Sequence, residues 1–299
     1  MHFGRVPSLA GVDFSLAEPR LAWSPPAASS AGLVLRLGAP AWSRPDWVGK
    51  LYARGTKPAE FLARYAEHFG AIELNSTFYA VPSAERIASW RASVDASFRF
   101  CAKLPRALTH ARALAPDPRE LDRTGQMLEG FGPALGPVLA QLPEHVERSE
   151  LERVLALLAR LPPRVHVALE LRHPSWFVDR QVEAGALAAF TERRVSLVVT
   201  DVAGRRDACH GTLSVPWLFV RFVGDALAPS DRTRLEAWSR RLAELHRRGL
   251  RAAYFFVHQP DDVLAPETAA LAGELFEREL GVAVQRPRLG AGSAQLSLV

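Results

Sequence analysis

Eight short runs rich in β-branched and aromatic residues alternate with longer amphipathic stretches, and this alternation constrains the fold more than any other feature of the chain. The predicted strands are 33–37, 71–78, 98–103, 137–142, 166–171, 195–200, 218–223 and 252–257. Helical periodicity marks 58–69, 84–93, 119–131, 149–161, 184–193, 232–248 and 266–280. The sixth connection, 202–216, is Gly-rich and is expected to carry little helix. Eight such units in about 250 residues match a closed (β/α)8 barrel. An open doubly wound sheet would carry a glycine-rich phosphate turn after its first strand, and Gly38-Ala39-Pro40-Ala41-Trp42 contains no G-x-G-x-x-G. The expected fold is therefore an α/β TIM-type (β/α)8 barrel of parallel strands with outer helices.

Local signals set the boundaries. Ser83 and Ser230 precede acidic first turns as N-cap candidates, and Gly70 and Gly249 follow helices where a left-handed residue is wanted. Residues 1–31, ending in a Ser/Pro/Ala stretch, read as a flexible leader; 32–284 read as one barrel domain; and 285–299 turn to Arg, Pro, Gly and Ser as a loose tail.

Composition narrows the function classes. Of 299 residues, 48% are apolar, enough for a sizeable core, yet no run approaches the roughly 20 apolar residues that span a bilayer. The first residues lack the apolar region of a secretory signal, and two cysteines cannot build a disulfide framework, so a cytoplasmic protein with no membrane association is expected. A charge of +5 suits nucleic acid, but only three of the 37 basic residues are lysines. The arginine excess fits GC-rich coding, and many arginines sit beside acids on predicted helix faces, where a solvated surface is the usual explanation.

Strand ends carry the chemistry. In a parallel barrel they meet at one mouth, which would gather Glu73, Asn75, Lys103, Gln141, Glu170, Arg172, His173, Asp201, Arg221 and His258. Period-two alternation puts Glu73, Asn75 and Thr77 on one face of the second strand and Arg99, Cys101 and Lys103 on the inward face of the third. A buried carboxylate needs a cation, and Lys103 is the candidate partner for Glu73. A lysine in so arginine-rich a chain also suggests a titratable or nucleophilic amine. His110 and His173 could act as acid or base, or simply pack in loops. Glu73 with Glu170 would suit glycoside hydrolysis at a separation the sequence does not give. Trp42, Trp47, Phe78, Tyr79 and Trp176 lie just beyond strands, as a stacking surface or a hydrophobic cover. Glu73, Glu170, His173, Asp201 and His258 are metal-ligand types, but no H-x-H or H-E-x-x-H spacing joins them, so no metal is assigned and no motif names a cofactor.

Several blocks carry a family resemblance: Trp42-Ser43 with Asp46-Trp47-Val48-Gly49, Ile72-Glu73-Leu74-Asn75-Ser76-Thr77-Phe78-Tyr79, Phe98-Arg99-Phe100 with Lys103, Thr109-His110, Gln141-Leu142-Pro143, and Glu170-Leu171-Arg172-His173-Pro174-Ser175-Trp176. Together with Trp90 they resemble the YecE-like family, domain of unknown function 72, over about residues 34–280. The resemblance implies a TIM-type barrel and no established activity. The chain departs from the family pattern late: Val223 stands where that pattern has a histidine, and Val257-His258-Gln259-Pro260-Asp261-Asp262 replaces an Asn-rich strand end. His258 could supply the missing imidazole from the neighbouring strand.

The leading expectation is an enzyme, a hydrolase or lyase of a polar, phosphorylated or sugar-containing substrate. Glu73, Glu170, Lys103 and His173 are its catalytic candidates. Asn75, Gln141, Arg172, Arg221, Asp201, His258, Trp42, Tyr79 and Trp176 are its binding candidates. The competing reading is a non-catalytic nucleic-acid or phosphate-binding barrel.

Overall fold

The computed structural model describes residues 3–24 and 32–289. Eight strands form the barrel: β1 (Val34–Ala39), β2 (Ala71–Leu74), β3 (Arg99–Ala102), β4 (Val138–Gln141), β5 (Val167–Glu170), β6 (Ser196–Asp201), β7 (Trp217–Val223) and β8 (Ala252–His258). Neighbours pair in parallel, and β8 returns to β1 with Ala252 opposite Val34. Between β3 and β4 the ladder thins to two bridges, Phe100 with Leu135 and Lys103 with Leu139. There the Leu104 amide donates to the Leu139 carbonyl at 2.8 Å.

Helices α1 (Phe61–His68), α2 (Ala84–Ala92), α3 (Arg106–Thr109), α4 (Pro118–Gly130), α5 (Leu151–Leu158), α6 (Ala184–Glu192), α7 (Pro229–Arg247) and α8 (Ala265–Leu280) occupy the crossovers. The connection from β6 to β7 carries no helix, as its glycines led one to expect.

Strand alternation divides the core in two. Leu37, Ile72, Phe100, Ala140, Leu169, Val199, Val220 and Phe255 face the helices, whereas Ala71, Cys101, Leu139, Ala168, Val198, Phe219 and Phe256 fill the barrel. The Phe219 and Phe256 rings, both fully buried, pack with centroids 4.9 Å apart in the middle of the barrel. Phe256 fits only because residue 38 is glycine: a Cβ there would lie 2.5 Å from both the Ala71 carbonyl and the Phe256 ring. This apolar layer is the floor on which the charged ends of the strands stand.

Several boundaries differ from the sequence expectation. β2 stops at Leu74, and Asn75–Phe78 forms a 3-10 turn, so Asn75 and Thr77 do not continue the inward face of a strand. The Thr77 hydroxyl bonds the Leu74 and Lys103 carbonyls at 2.8 and 2.7 Å, a side-chain alternative to ladder pairing that ends the strand. Ser83 does cap α2, accepting from the Arg86 amide. Ser230 does not cap α7, because Pro229 already occupies the first turn and Ala228 stands at the N-cap. Gly249 is left-handed at φ 97°, whereas α1 ends in an extended Phe69 and Gly70 is not left-handed.

The first segment also needs correction. Residues 3–24, expected as a flexible leader, are built into the fold. Arg20–Leu21 pairs with Thr212–Leu213, and Arg180 and Arg206 donate to the Ser15 carbonyl. No periodicity announces this, because the contacts are single side chains and backbone groups rather than an amphipathic face. The Pro/Ala/Ser run, 25–31, lies outside the described residues. At the other end, Gln285 bonds the Ala66 carbonyl and Arg286 pairs with Glu277, so 285–289 dock on α1 and α8; residues 290–299 lie outside the described residues. Among the described residues, no helix is long and apolar enough to cross a membrane.

Candidate active site at the barrel mouth

Directly above the apolar floor, the next inward residue of seven strands is polar: Glu73, Lys103, Gln141, Glu170, Thr200, Arg221 and His258. Arg221 is the hub. Its Nε and Nη2 each donate to Glu73 at 2.9 Å, and its Nη1 reaches Glu170 at 3.0 Å. Glu73 also accepts from the Asn75 side chain, through Nδ2, at 2.9 Å and lies 3.2 Å from His258 Nε2. Glu170 also accepts from Gln141 at 2.6 Å, Thr200 at 3.2 Å and Arg172 Nε at 3.2 Å.

A buried ion pair persists only if its lone pairs are satisfied, and these carboxylates meet that condition from four strands, β4, β6, β7 and β8, and from Asn75 and Arg172 just beyond β2 and β5. Both Glu73 and Glu170 are fully buried. Burial pushes the Glu73 carboxyl upward, but Arg221 and then His258 outweigh it and hold Glu73 well below the usual carboxylate range. Glu170 follows the same balance, with burial opposed first by Arg172 and then by Arg221 and Gln141, and it too is lowered. Both carboxylates are therefore ionised at neutral pH.

Lys103 behaves differently. It was the expected partner of Glu73, but Arg221 takes that place, because only a planar fork bridges two carboxylates on opposite walls. Among the described residues no hydrogen bond or ion pair reaches Lys103 Nζ, which lies 4.3 Å from the centroid of the Phe78 ring. Burial, with Arg221 and Arg172 opposing Glu73 and Glu170, brings its pKa down to about 8. Near it His110, edge-on to Phe78, is lowered to about 4 by burial and then by Arg106 and Lys103, so its ring is neutral.

Other expected site residues do not join this cluster. Asp201 follows inward-facing Thr200 and so points outward to α7, where Arg206, Arg234 at 3.0 Å and the Trp238 indole N–H at 2.8 Å enclose it. His173 caps the turn that follows it, its Nδ1 lying 2.8 Å from the Ser175 hydroxyl and accepting from the Ser175 amide. Trp176 is buried against Phe190 and donates to the Val146 carbonyl. Trp42 packs edge-on to Trp90, and of the aromatic candidates at the mouth Tyr79, 82% exposed, presents the open ring. Thr200 was missed, although the alternation that turns Asp201 outward turns Thr200 in.

Phe3 was missed as well, and no sequence pattern marks it. Its buried ring lies under two guanidinium groups, Arg172 at 4.4 Å and Arg205 at 4.9 Å. Gly4, Arg5, Val6 and Leu9 form one side of a cavity of about 270 Å³ beyond the ends of β6, β7 and β8, where Arg234 and Gln259 are among the residues lining the other.

Three comparisons place this barrel among known proteins. The family model described as "Protein of unknown function DUF72" matches residues 36–290. The YecE protein of Escherichia coli K12 is 28% identical over 276 residues, covering 86% of this chain and 96% of its own length. YunF of Bacillus subtilis is 26% identical over 155 residues, covering 48% of this chain and 52% of its own. A crystal structure of a DUF72 family protein from Enterococcus faecalis V583 superposes with a TM-score of 0.64 at 18% identity, covering 85% of this chain and 99% of that one, which supports the fold alone. Eight parallel strands, a family match that begins just inside β1, and a relative, YecE, that aligns along nearly the whole barrel lead to one assignment: this chain belongs to the DUF72 family.

Proposed function

We propose that the mouth is the active site of a hydrolase or lyase that acts on a small, polar, anionic molecule, with Lys103 as the proton-transfer group. One observation carries this reading: of the lysine and two arginines at the mouth, Arg221 and Arg172 are engaged by carboxylates, whereas the largely buried amine of Lys103 lies over the Phe78 ring and has no hydrogen bond or ion pair among the described residues. An amine with a pKa near the working pH can give a proton in one form and take one in the other, which is what acid–base catalysis requires. Its charged form, beside Arg172, also attracts a phosphate or carboxylate group.

The carboxylates take a different part. A glycosidase needs one carboxylic acid that keeps its proton, and Glu73 and Glu170 are both held ionised. Their part is to fix Arg221, Gln141 and His258 in place, so sugar hydrolysis by a carboxylate pair is the less favoured chemistry.

The test is a substrate screen of small phosphorylated and carboxylated compounds with the wild type, K103M, K103R and E170Q. Expected is a turnover that K103M abolishes, that K103R fails to restore, and whose basic limb tracks the Lys103 titration. Turnover that survives in K103M removes the assignment. A salt-sensitive shift with mixed oligonucleotides, and no small-molecule turnover, would favour the nucleic-acid reading instead.

A further inference from the structure

We propose that residues 3–9 are a built-in wall of the active site, in which Phe3 positions Arg172 and confines substrate to the Lys103 side of the mouth. The inference rests on the mouth being the active site. It concerns a segment that lies before the family match, which begins at residue 36.

Phe3 is buried among Val202, Ala208 and Val223, and its ring covers the guanidinium of Arg172, the group that donates to Glu170. The segment is keyed to the rim rather than draped over it. The Gly204 amide donates to the Gly4 carbonyl at 2.8 Å, and Gly4 adopts φ +68° where a Cβ would lie 2.6 Å from Val202. Further along, Phe14 lies under Arg206 and Arg234, so the arginines that hold Asp201 also hold the segment.

The mouth is therefore asymmetric. Its β5–β7 side, with Glu170, Arg172 and Val223, is roofed by the chain's own N-terminal segment. Its β2–β4 side, with Asn75, Lys103, His110 and exposed Tyr79, is not roofed by those residues. A substrate held beside this wall, on the Lys103 side, turns its anionic end to an Arg172 already fixed in direction, so little side-chain entropy remains to be lost on binding. With Phe3 gone, Arg172 can swing toward solvent and water can enter.

The test uses the full chain with Phe3→Ala, Gly4→Val and Phe3→Trp. Phenylglyoxal modification, mapped by peptide mass, reads the accessibility of Arg172. Titration of isotope-labelled lysine amines reads the surroundings of Lys103. Expected are a several-fold faster modification of Arg172 in Phe3→Ala and Gly4→Val, a return to the slow rate in Phe3→Trp, and an upward move of the Lys103 midpoint in the first two. A purely structural role for Phe3 would leave that midpoint in place. Equal Arg172 reactivity and an unchanged Lys103 midpoint in folded Phe3→Ala and Gly4→Val overturn this inference while leaving the proposed function standing. An ordinary lysine midpoint for Lys103 in the wild type would instead sink the proposed function.

Discussion

Two buried ion clusters lie a few residues apart in this barrel, and they do different things. Inside, Glu73, Arg221 and Glu170 form a chain of charge whose upper side carries Lys103. Outside, Asp201 is shared by Arg206, Arg234 and Trp238, and Arg234 goes on to Asp231 and to two backbone carbonyls. The carboxylates of both clusters are buried, and both clusters hold carboxylates below their ordinary values, Glu73 and Glu170 inside and Asp201 outside, although burial raises Asp231 at the far end of the outer one. Burial and a perturbed pKa therefore do not separate a site from a strut. What separates them is an unmatched charge: the outer cluster ties α7 and the N-terminal segment to β6, whereas the inner one leaves over one amine without a carboxylate partner, Lys103, to which the proposed function assigns the proton transfer.

The comparison is broken most forcefully by removing each hub. R221M leaves two buried carboxylates without their shared guanidinium, with His258, Arg172 and Lys103 as the remaining nearby cationic groups, and a loss of about 3–5 kcal/mol in urea unfolding is expected. R234M leaves Asp201 its bond to Arg206, so a smaller loss is expected; equal losses would contradict the distinction. Next in size is K103M. The folded pKa of Lys103, about 8, lies below that of an exposed lysine, so charging this amine opposes folding at pH 7. That opposition fades as pH rises through the folded value toward the unfolded one near 10.4. K103M should be more stable than the wild type by about 1–3 kcal/mol at pH 7 and should lose that advantage above about pH 10.

Acid should weaken both clusters alike. Glu170 and Asp201 are each lowered to about 2, so the stability they contribute is complete above the unfolded values near 4 and is lost as pH falls through the folded ones. Unfolding followed from pH 6 to pH 2 should show this loss, and in R221M, where Glu170 has lost a cation, the loss should begin at higher pH. Smallest is T200V, which removes one of several bonds to Glu170 and should cost about 1 kcal/mol in the same assay.

Much of this was legible in the chain. Period-two alternation in the third and fifth strands placed Lys103 and Glu170 inward correctly, and strand count gave the barrel. The same rule, carried one residue further in the sixth strand, would have chosen Thr200 over Asp201. Two things were not legible. Which cation serves Glu73 depends on reach across the barrel, and Arg221 is separated from Glu73 by 148 positions. The docking of Phe3 rests on two arginines and a glycine contact, which leave no periodic trace in the sequence.

The central claim, that the mouth keeps one desolvated and uncompensated amine, is tested most directly by titrating isotope-labelled lysine side chains by NMR. The chain has three lysines, Lys50, Lys57 and Lys103, so each signal can be assigned by substitution. The expected result is one midpoint near 8, absent in K103M, while the other two remain near the ordinary lysine value of about 10.4. Three midpoints near that ordinary value would contradict the account.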